Sequence, residues 1–315
     1  MFKERKTKIS VKKIAEFLKS DYDGDDFEIT SISSMNNIKN NSLLFYSELT
    51  NFKFKIKDNV EYDLKKLDKY ENIAIISTYD IKKKTNIPII FSENPRLDFQ
   101  RVVKEFFTDD EFKPGIHASA IIESNVKIGD NVYVGPNCYI AKDVVIGDNT
   151  KILANTVIFG VTEIGRNCVI SSNCTIGSEG FGFSYNETEF IHFNHMGKIS
   201  IGDNVWIGSN CTVEKSQLDQ TSIDDHVKID DLVHISHNVK IKKFSQITAG
   251  VIVCGRATVG EGCWIAPNAV IDGGCEIGNN CFVGTSSLVR KNFPDNCMLI
   301  GSPAKILRNI EKSYL

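Results

Sequence analysis

The chain has 315 residues, of which 24% are charged, with a net charge of −3 and a pI near 6.1. That length holds one long domain plus a smaller one. Mixed charge signs with no basic stripe argue against a nucleic-acid or membrane-surface partner. The start, Met1-Phe2-Lys3-Glu4-Arg5-Lys6, is charged and lacks an apolar leader core, and no apolar run reaches a membrane span, so a cytoplasmic location is expected.

Residues 1–108 read as a small α/β domain. Val11 to Lys19 is predicted to be a short amphipathic helix. Ile29 to Ile32, Leu43 to Tyr46, Ile73 to Ile76 and Ile87 to Phe91 are predicted to be strands, the last pushed toward a sheet edge by Pro88. Asn94-Pro95 opens a helix from Arg96 to Phe107, and residues 109–115 serve as a linker.

From Ile116 an aliphatic residue returns every sixth position, through Ile122 and Ile128 to Ile176. The pattern resumes at Ile201, Ile207 and Val213, and again from Ile223 to Val289, giving 26 hexads over residues 116–300. A period of six is too short for a helix–loop unit and does not fit a helical stripe, so it belongs to short strands joined by turns. Three hexads close one triangular coil. The expected fold is therefore mainly β: a left-handed parallel β-helix of eight to nine coils, about 40 Å long at ~4.8 Å per coil, preceded by the α/β domain.

The position two before each aliphatic is small or slender, as at Val126, Cys138, Thr150 and Cys168, because it shares the interior. Seven of the nine cysteines (Cys138, Cys168, Cys174, Cys211, Cys263, Cys275 and Cys281) occupy this slot and read as buried thiols rather than disulfides or metal ligands. Glycine often follows the aliphatic, as at Gly129, Gly135 and Gly147, where a tight corner is expected. The repeat breaks at 178–198 and at 214–222, and such interruptions map to loops that carry binding. Residues 301–315 form a short tail in which Ile306 to Leu315 is expected to be a short helix.

Several segments carry a family resemblance. Asn94-Pro95-Arg96, Ile116-His117-Ala118-Ser119-Ala120-Ile121-Ile122, Gly180-Phe181-Gly182-Phe183 and Val233-His234-Ile235-Ser236-His237-Asn238-Val239, in that order, resemble UDP-3-O-acylglucosamine N-acyltransferase. The resemblance implies a homotrimer with active sites between prisms, an N-terminal domain that binds a nucleotide-linked amino sugar, and acyl transfer from a thioester to the sugar amine. It matches His237 to the catalytic base and Gly255, one coil further on, to the oxyanion donor.

The residue types suit that chemistry. An ammonium cannot attack a thioester, so a base near neutral pKa must take its proton, and histidine is the commonest choice. His237 falls at a turn, and its alternative is a structural or substrate-orienting role. Asn238 positions either His237 or the sugar. His234 faces outward, as substrate contact or as plain surface. Gly255 is either an oxyanion donor or a turn residue. Phe45 and Phe52 are the candidate aromatics for the uracil, and Phe181 and Phe183 for the sugar nucleotide at the long loop.

The family pattern is not complete. Its second histidine aligns with Gly274, its Asp-Arg-Gly with Glu214-Lys215-Ser216, and its second uracil-side aromatic with Asn51. The family carries a longer C-terminal helical extension that engages acyl carrier protein; here the repeats are followed by Gly301-Ser302-Pro303-Ala304-Lys305 and a short tail, which resembles coenzyme-A-dependent sugar acetyltransferases and sets the expectation of a coenzyme A donor.

The expected function is N-acylation of a UDP- or dTDP-linked amino sugar, with acyl-CoA as the preferred co-substrate, no permanently bound cofactor and no metal. The lipid A enzyme itself, using acyl carrier protein, is the alternative. A γ-carbonic-anhydrase-like zinc lyase and a purely structural solenoid are readings of other classes; the zinc reading needs three converging histidines.

Overall fold

The computed structural model describes residues 2–46, 64–79 and 85–310 in two compact units, 1–112 and 113–315. Phe52 lies outside the described residues. No helix among them is long and apolar enough to cross a membrane.

The first unit is built on a five-stranded sheet, in the order Tyr22–Asp23, Ile89–Phe91, Ile73–Ser77, Ser42–Phe45, Ser31–Ile32. All neighbours run parallel except the first pair. The central strand is buried on both sides, and its side chains alternate between two cores: Ala74 and Ile76 meet the helix Val11–Leu18, whereas Ile73 and Ile75 pack with Leu44, Leu64 and Leu67. The helix starts because Ser10 accepts a hydrogen bond from the Lys13 N–H, and stops where Lys19 turns left-handed at φ 56°. A second helix, Pro95–Val102, is capped by Asn94 and continues as one π-helical turn, Val103–Phe107.

Two expectations for this unit change. Ile89–Phe91 is not an edge strand: Pro88 sits just ahead of it and offers its carbonyl to the Ile75 N–H, so the missing proline N–H is not needed. Thr108–Asp110, at the expected linker, instead pairs antiparallel with Phe2–Glu4, and the Arg5 guanidinium holds Asp109 at 2.7 Å.

The second unit is a left-handed parallel β-helix. Its three stacks contain 11, 9 and 8 strands, most of only two residues. Each aliphatic of the hexad sits above its counterpart one coil earlier, as in Val134↔Ile152↔Ile170, and these side chains form one continuous core. The spacing between stacked partners is 18 residues in most coils; it widens to 37 across the long excursion and to 22 across the short one, with register restored each time, and shortens to 16 in the last coil. The seven interior cysteines are buried free thiols.

The corners work differently from the expectation. The left-handed residue is the third after the aliphatic, usually asparagine, as at Asn131 (φ 55°), Asn137 (φ 57°) and Asn149 (φ 57°). Asparagines in successive coils also bond to one another, Asn137 Nδ2 to Asn155 Oδ1 and Asn155 Nδ2 to Asn173 Oδ1, both at 3.2 Å. The glycine directly after the aliphatic serves coil stacking instead: a Cβ on Gly135 would lie 2.8 Å from the Ala154 backbone nitrogen. The chain end is corrected too. Ala304–Asn309 is a strand antiparallel to Cys297–Gly301, not a helix, because it closes a hairpin on the edge of the last coil.

Candidate functional site

His237 follows the strand His234–Ile235 and precedes the left-handed Asn238 (φ 61°), so the inward Ile235 leaves it at an outward corner. Its Nδ1 lies 3.0 Å from Asn238 Oδ1. That oxygen also accepts the Gln217 N–H at 3.2 Å, and Asn238 Nδ2 donates to Ser216 Oγ at 2.6 Å, so the amide orientation is fixed. A backbone N–H must donate, so Oδ1 is an acceptor and His237 Nδ1 must carry the proton. The neutral ring therefore presents Nε2 as a bare lone pair.

Gly255 stands one coil beyond. A Cβ there would lie 2.7 Å from His237 Nε2 and 2.8 Å from Cε1, so only glycine leaves the ring this position. The left-handed corner residue is the next one, Arg256 (φ 65°), which rules out the turn as the reason for Gly255. Its N–H is also open to a ligand. At the same place in some coils the N–H is taken by a side chain of the following coil, as with Asp130 N to Asp148 Oδ1 (2.8 Å), Asp203 N to Asp225 Oδ1 (2.7 Å) and Glu261 N to Asn279 Oδ1 (2.8 Å). The successor of Gly255 is Gly273, which has no side chain to offer, and the Gly255 N–H has no partner among the described residues.

A buried carboxylate backs the histidine. Glu214 Oε2 accepts from Ser236 Oγ at 2.7 Å and from the His237 N–H at 3.1 Å, while Oε1 is 3.8 Å from His234 Nε2. His234 is in turn held by Thr212 Oγ1, 2.6 Å from its Nδ1. Glu214-Lys215-Ser216, a departure from the family pattern, thus supports the corner: Glu214 holds His237, and Ser216 holds Asn238.

The long excursion reaches the same place. Lys215 Nζ is 2.7 Å from Glu179 Oε1, and Glu179 Oε2 accepts the His195 N–H at 2.7 Å. Burial would raise the Glu179 carboxyl, but bonds from Lys215 and the His195 N–H outweigh it and hold the group below its ordinary range. His195 is only 2% exposed, and its ring meets the His237 ring edge-on, with centroids 5.3 Å apart. Beyond it, Phe183–Tyr185 and Phe190–His192 pair as a hairpin. Phe181 is 86% exposed and touches Phe183 edge-on at 5.2 Å.

The structure therefore groups His237, Asn238, Gly255 and His234 and places Phe181 and Phe183 on the excursion that packs there. Phe45 belongs to the other unit, half-buried against Phe99 at 5.0 Å. Gly274 is open: its φ is +72° and nothing lies within 4 Å of an added Cβ. Sequence reasoning missed His195, Glu214 and Ser216 as site residues. For His195 the only signal was its place inside a break in the repeat, whereas Glu214 and Ser216 were also marked by their alignment with the family's Asp-Arg-Gly.

One group of potential metal ligands occurs among the described residues: Glu179, His192 and His195, with ligand atoms within 4.8 Å of one another. Part of this set is already engaged, Glu179 by Lys215 and the His195 N–H, His192 Nε2 by the Gly180 carbonyl at 3.1 Å, and His195 Nδ1 by the Phe193 carbonyl at 2.8 Å, whereas His195 Nε2 has no hydrogen-bond partner among the described residues.

Comparison with known proteins agrees with this architecture. The family described as bacterial transferase hexapeptide (six repeats) matches residues 113–142, 143–178 and 256–291, and the hexapeptide repeat of succinyl-transferase matches 198–216. UDP-3-O-acylglucosamine N-acyltransferase of Delftia acidovorans is 30% identical over 125 residues, covering 40% of this chain and 37% of that protein. The Rickettsia akari protein of the same name is 45% identical over 84 residues, covering 27% and 24%. The chain thus matches about a third or less of these relatives' length.

Among solved structures, LpxA from Acinetobacter baumannii superimposes with a TM-score of 0.56 at 28% identity, over 62% of this chain and 74% of that one. UDP-N-acetylglucosamine O-acyltransferase from Moraxella catarrhalis gives 0.57 at 26%, over 62% and 75%. In repeat and fold the chain is similar to LpxD- and LpxA-type hexapeptide acyltransferases.

Proposed function

We propose that this protein is an N-acyltransferase that moves an acyl group from a thioester to the amine of a nucleotide-linked amino sugar, with His237 as general base. The carrying observation is the corner itself: Asn238 fixes the His237 proton on Nδ1, leaving Nε2 bare beside Gly255, whose N–H has no partner among the described residues. In this reading Nε2 takes a proton from the sugar ammonium and the freed nitrogen attacks the thioester carbonyl. The oxyanion is stabilised by the Gly255 N–H. Collapse breaks the C–S bond, the imidazolium returns its proton to the leaving sulfur, and the second proton of the attacking nitrogen passes to solvent water, leaving a neutral amide and a free thiol. No acyl-enzyme is needed.

The names of the relatives favour UDP-3-O-acylglucosamine as acceptor over the dTDP- and other UDP-linked sugars considered from sequence. The donor is an acyl thioester, carried on coenzyme A or on acyl carrier protein. A homotrimer, with Phe45 and Phe52 contributing to nucleotide binding, belongs to the same proposal; light scattering and UDP titration of Phe45→Ala test those parts. The main test is thiol release with both donor types against UDP-3-O-acylglucosamine and UDP- and dTDP-amino sugars. Amide formation with any of these pairs supports the reading, and no turnover with all of them overturns it.

A further inference from the structure

His195 carries a buried group without a partner. Its Nδ1 lies 2.8 Å from the Phe193 carbonyl oxygen and 3.3 Å from Glu179 Oε2. Both neighbours are acceptors, so Nδ1 holds the proton and Nε2 of the neutral ring is a lone pair. That Nε2 is buried and has no hydrogen-bond partner among the described residues. An acceptor buried without a donor is a standing cost to the fold, and such exceptions call for a reason.

The location supplies one. A Cβ on Gly180 would lie 2.7 Å from His195 Nε2, 3.0 Å from Glu214 Oε2 and 3.0 Å from His237 Cδ2. The backbone of one glycine thus covers the lone pair, the carboxylate and the base together. Gly180 and Gly182 flank the exposed Phe181, so the segment that covers His195 Nε2 lacks a side chain at two of its three positions. The His195 backbone is itself anchored by Glu179.

We propose that His195 is a substrate-binding residue whose Nε2 accepts a hydrogen bond from an O–H or N–H of the amino-sugar acceptor, admitted when the Gly180–Gly182 segment shifts. The inference rests on the acyltransferase reading and names a contact within it. Metal ligation by Glu179, His192 and His195 is the competing use of His195 Nε2, and the bonds that already hold Glu179 and His192 Nε2 disfavour it.

Two full-length variants separate the two ring nitrogens. His195→Asn keeps a donor for the Phe193 carbonyl where Nδ1 stood but removes the acceptor at Nε2, whereas His195→Gln places its amide oxygen near the Nε2 position. The expected result is a rise of about tenfold or more in acceptor KM for the asparagine variant, with the thioester KM unchanged, and near-wild-type behaviour for the glutamine variant. In long-range ¹⁵N–¹H spectra of the wild type, the His195 Nε2 resonance is expected to shift on adding a UDP-linked amino sugar. A wild-type acceptor KM in the asparagine variant, equal impairment of both variants, or stoichiometric zinc in the purified wild type would each overturn the assignment. If the variants do not fold, an unmoved Nε2 resonance at saturating acceptor overturns it. Wild-type inactivity with every acceptor would remove the transferase reading as well, which distinguishes the two failures.

Discussion

Replacing Gly255 by alanine puts a methyl group 2.7 Å from His237 Nε2, 2.8 Å from Cε1 and 3.3 Å from Cδ2. Favourable contacts between such atoms begin near 3.5 Å, so the ring must retreat by roughly 0.7–1 Å. A retreat of that size stretches the 3.0 Å bond from Nδ1 to Asn238 Oδ1 beyond hydrogen-bonding range or swings Nε2 away from the amine. A misplacement of about 1 Å costs on the order of a hundredfold in rate, or about 2.7 kcal/mol of barrier. Gly255 does not have a positive φ, so alanine brings no backbone strain there and the melting temperature is expected to stay close to wild type. Gly135→Ala is the contrasting control: its methyl meets the Ala154 backbone at 2.8 Å in the next coil, so stability is expected to fall. Thiol-release kinetics and thermal melts on both variants make the comparison. A Gly255→Ala protein with kcat/KM within about threefold of wild type would refute the argument that His237 is held by the missing Cβ.

Other outcomes follow from the same geometry. Asn238→Ala removes the acceptor that fixes the His237 tautomer and puts alanine at φ 61°, so a rate loss of about tenfold to a hundredfold with about 1–2 kcal/mol of destabilisation is expected from kinetics and denaturant melts. Ile235→Ala hollows the core directly under the site, where Ile235 is 0% exposed, and is expected to cost about 2–5 kcal/mol in chemical denaturation. The lowered Glu179 carboxyl gives a signed pH effect. Its contribution is complete above the ordinary value of 4.5 and is lost as pH falls through the lower folded value, so the excursion should loosen in acid. Limited proteolysis of the 178–198 loop between pH 6 and 3 is expected to show that onset in the wild type and a weaker pH response in Glu179→Gln.

The prism was legible because the interior residue recurs every six positions and the register of each coil depends on it; even the two breaks are visible as lost phase. The corners were misread because glycine is the default left-handed residue, whereas here Asn131, Asn137 and their equivalents take that conformation and the glycines make room for the next coil. Ile306 and Leu307 lie in a segment too short for its pattern to separate helix from strand, and pairing with Cys297–Gly301 decided it. In the site, His237 and Gly255 were found through resemblance and the 18-residue coil. His195 could not be, because a residue inside an excursion has no repeat phase, and only folding brings its ring to 5.3 Å from His237. Glu214 and Ser216 looked like departures until their bonds to His237 and Asn238 were seen.

The most direct test of the central claim is mass-spectrometric detection of the amide product from UDP-3-O-acylglucosamine and an acyl thioester, with wild-type protein and with His237→Ala of verified fold. The expected result is N-acylated product from the wild type and a loss of about 10²–10⁴-fold in the variant. Equal product from both proteins would contradict the role given to His237, and no product from the wild type with either coenzyme A or carrier-protein donors would contradict the transferase itself.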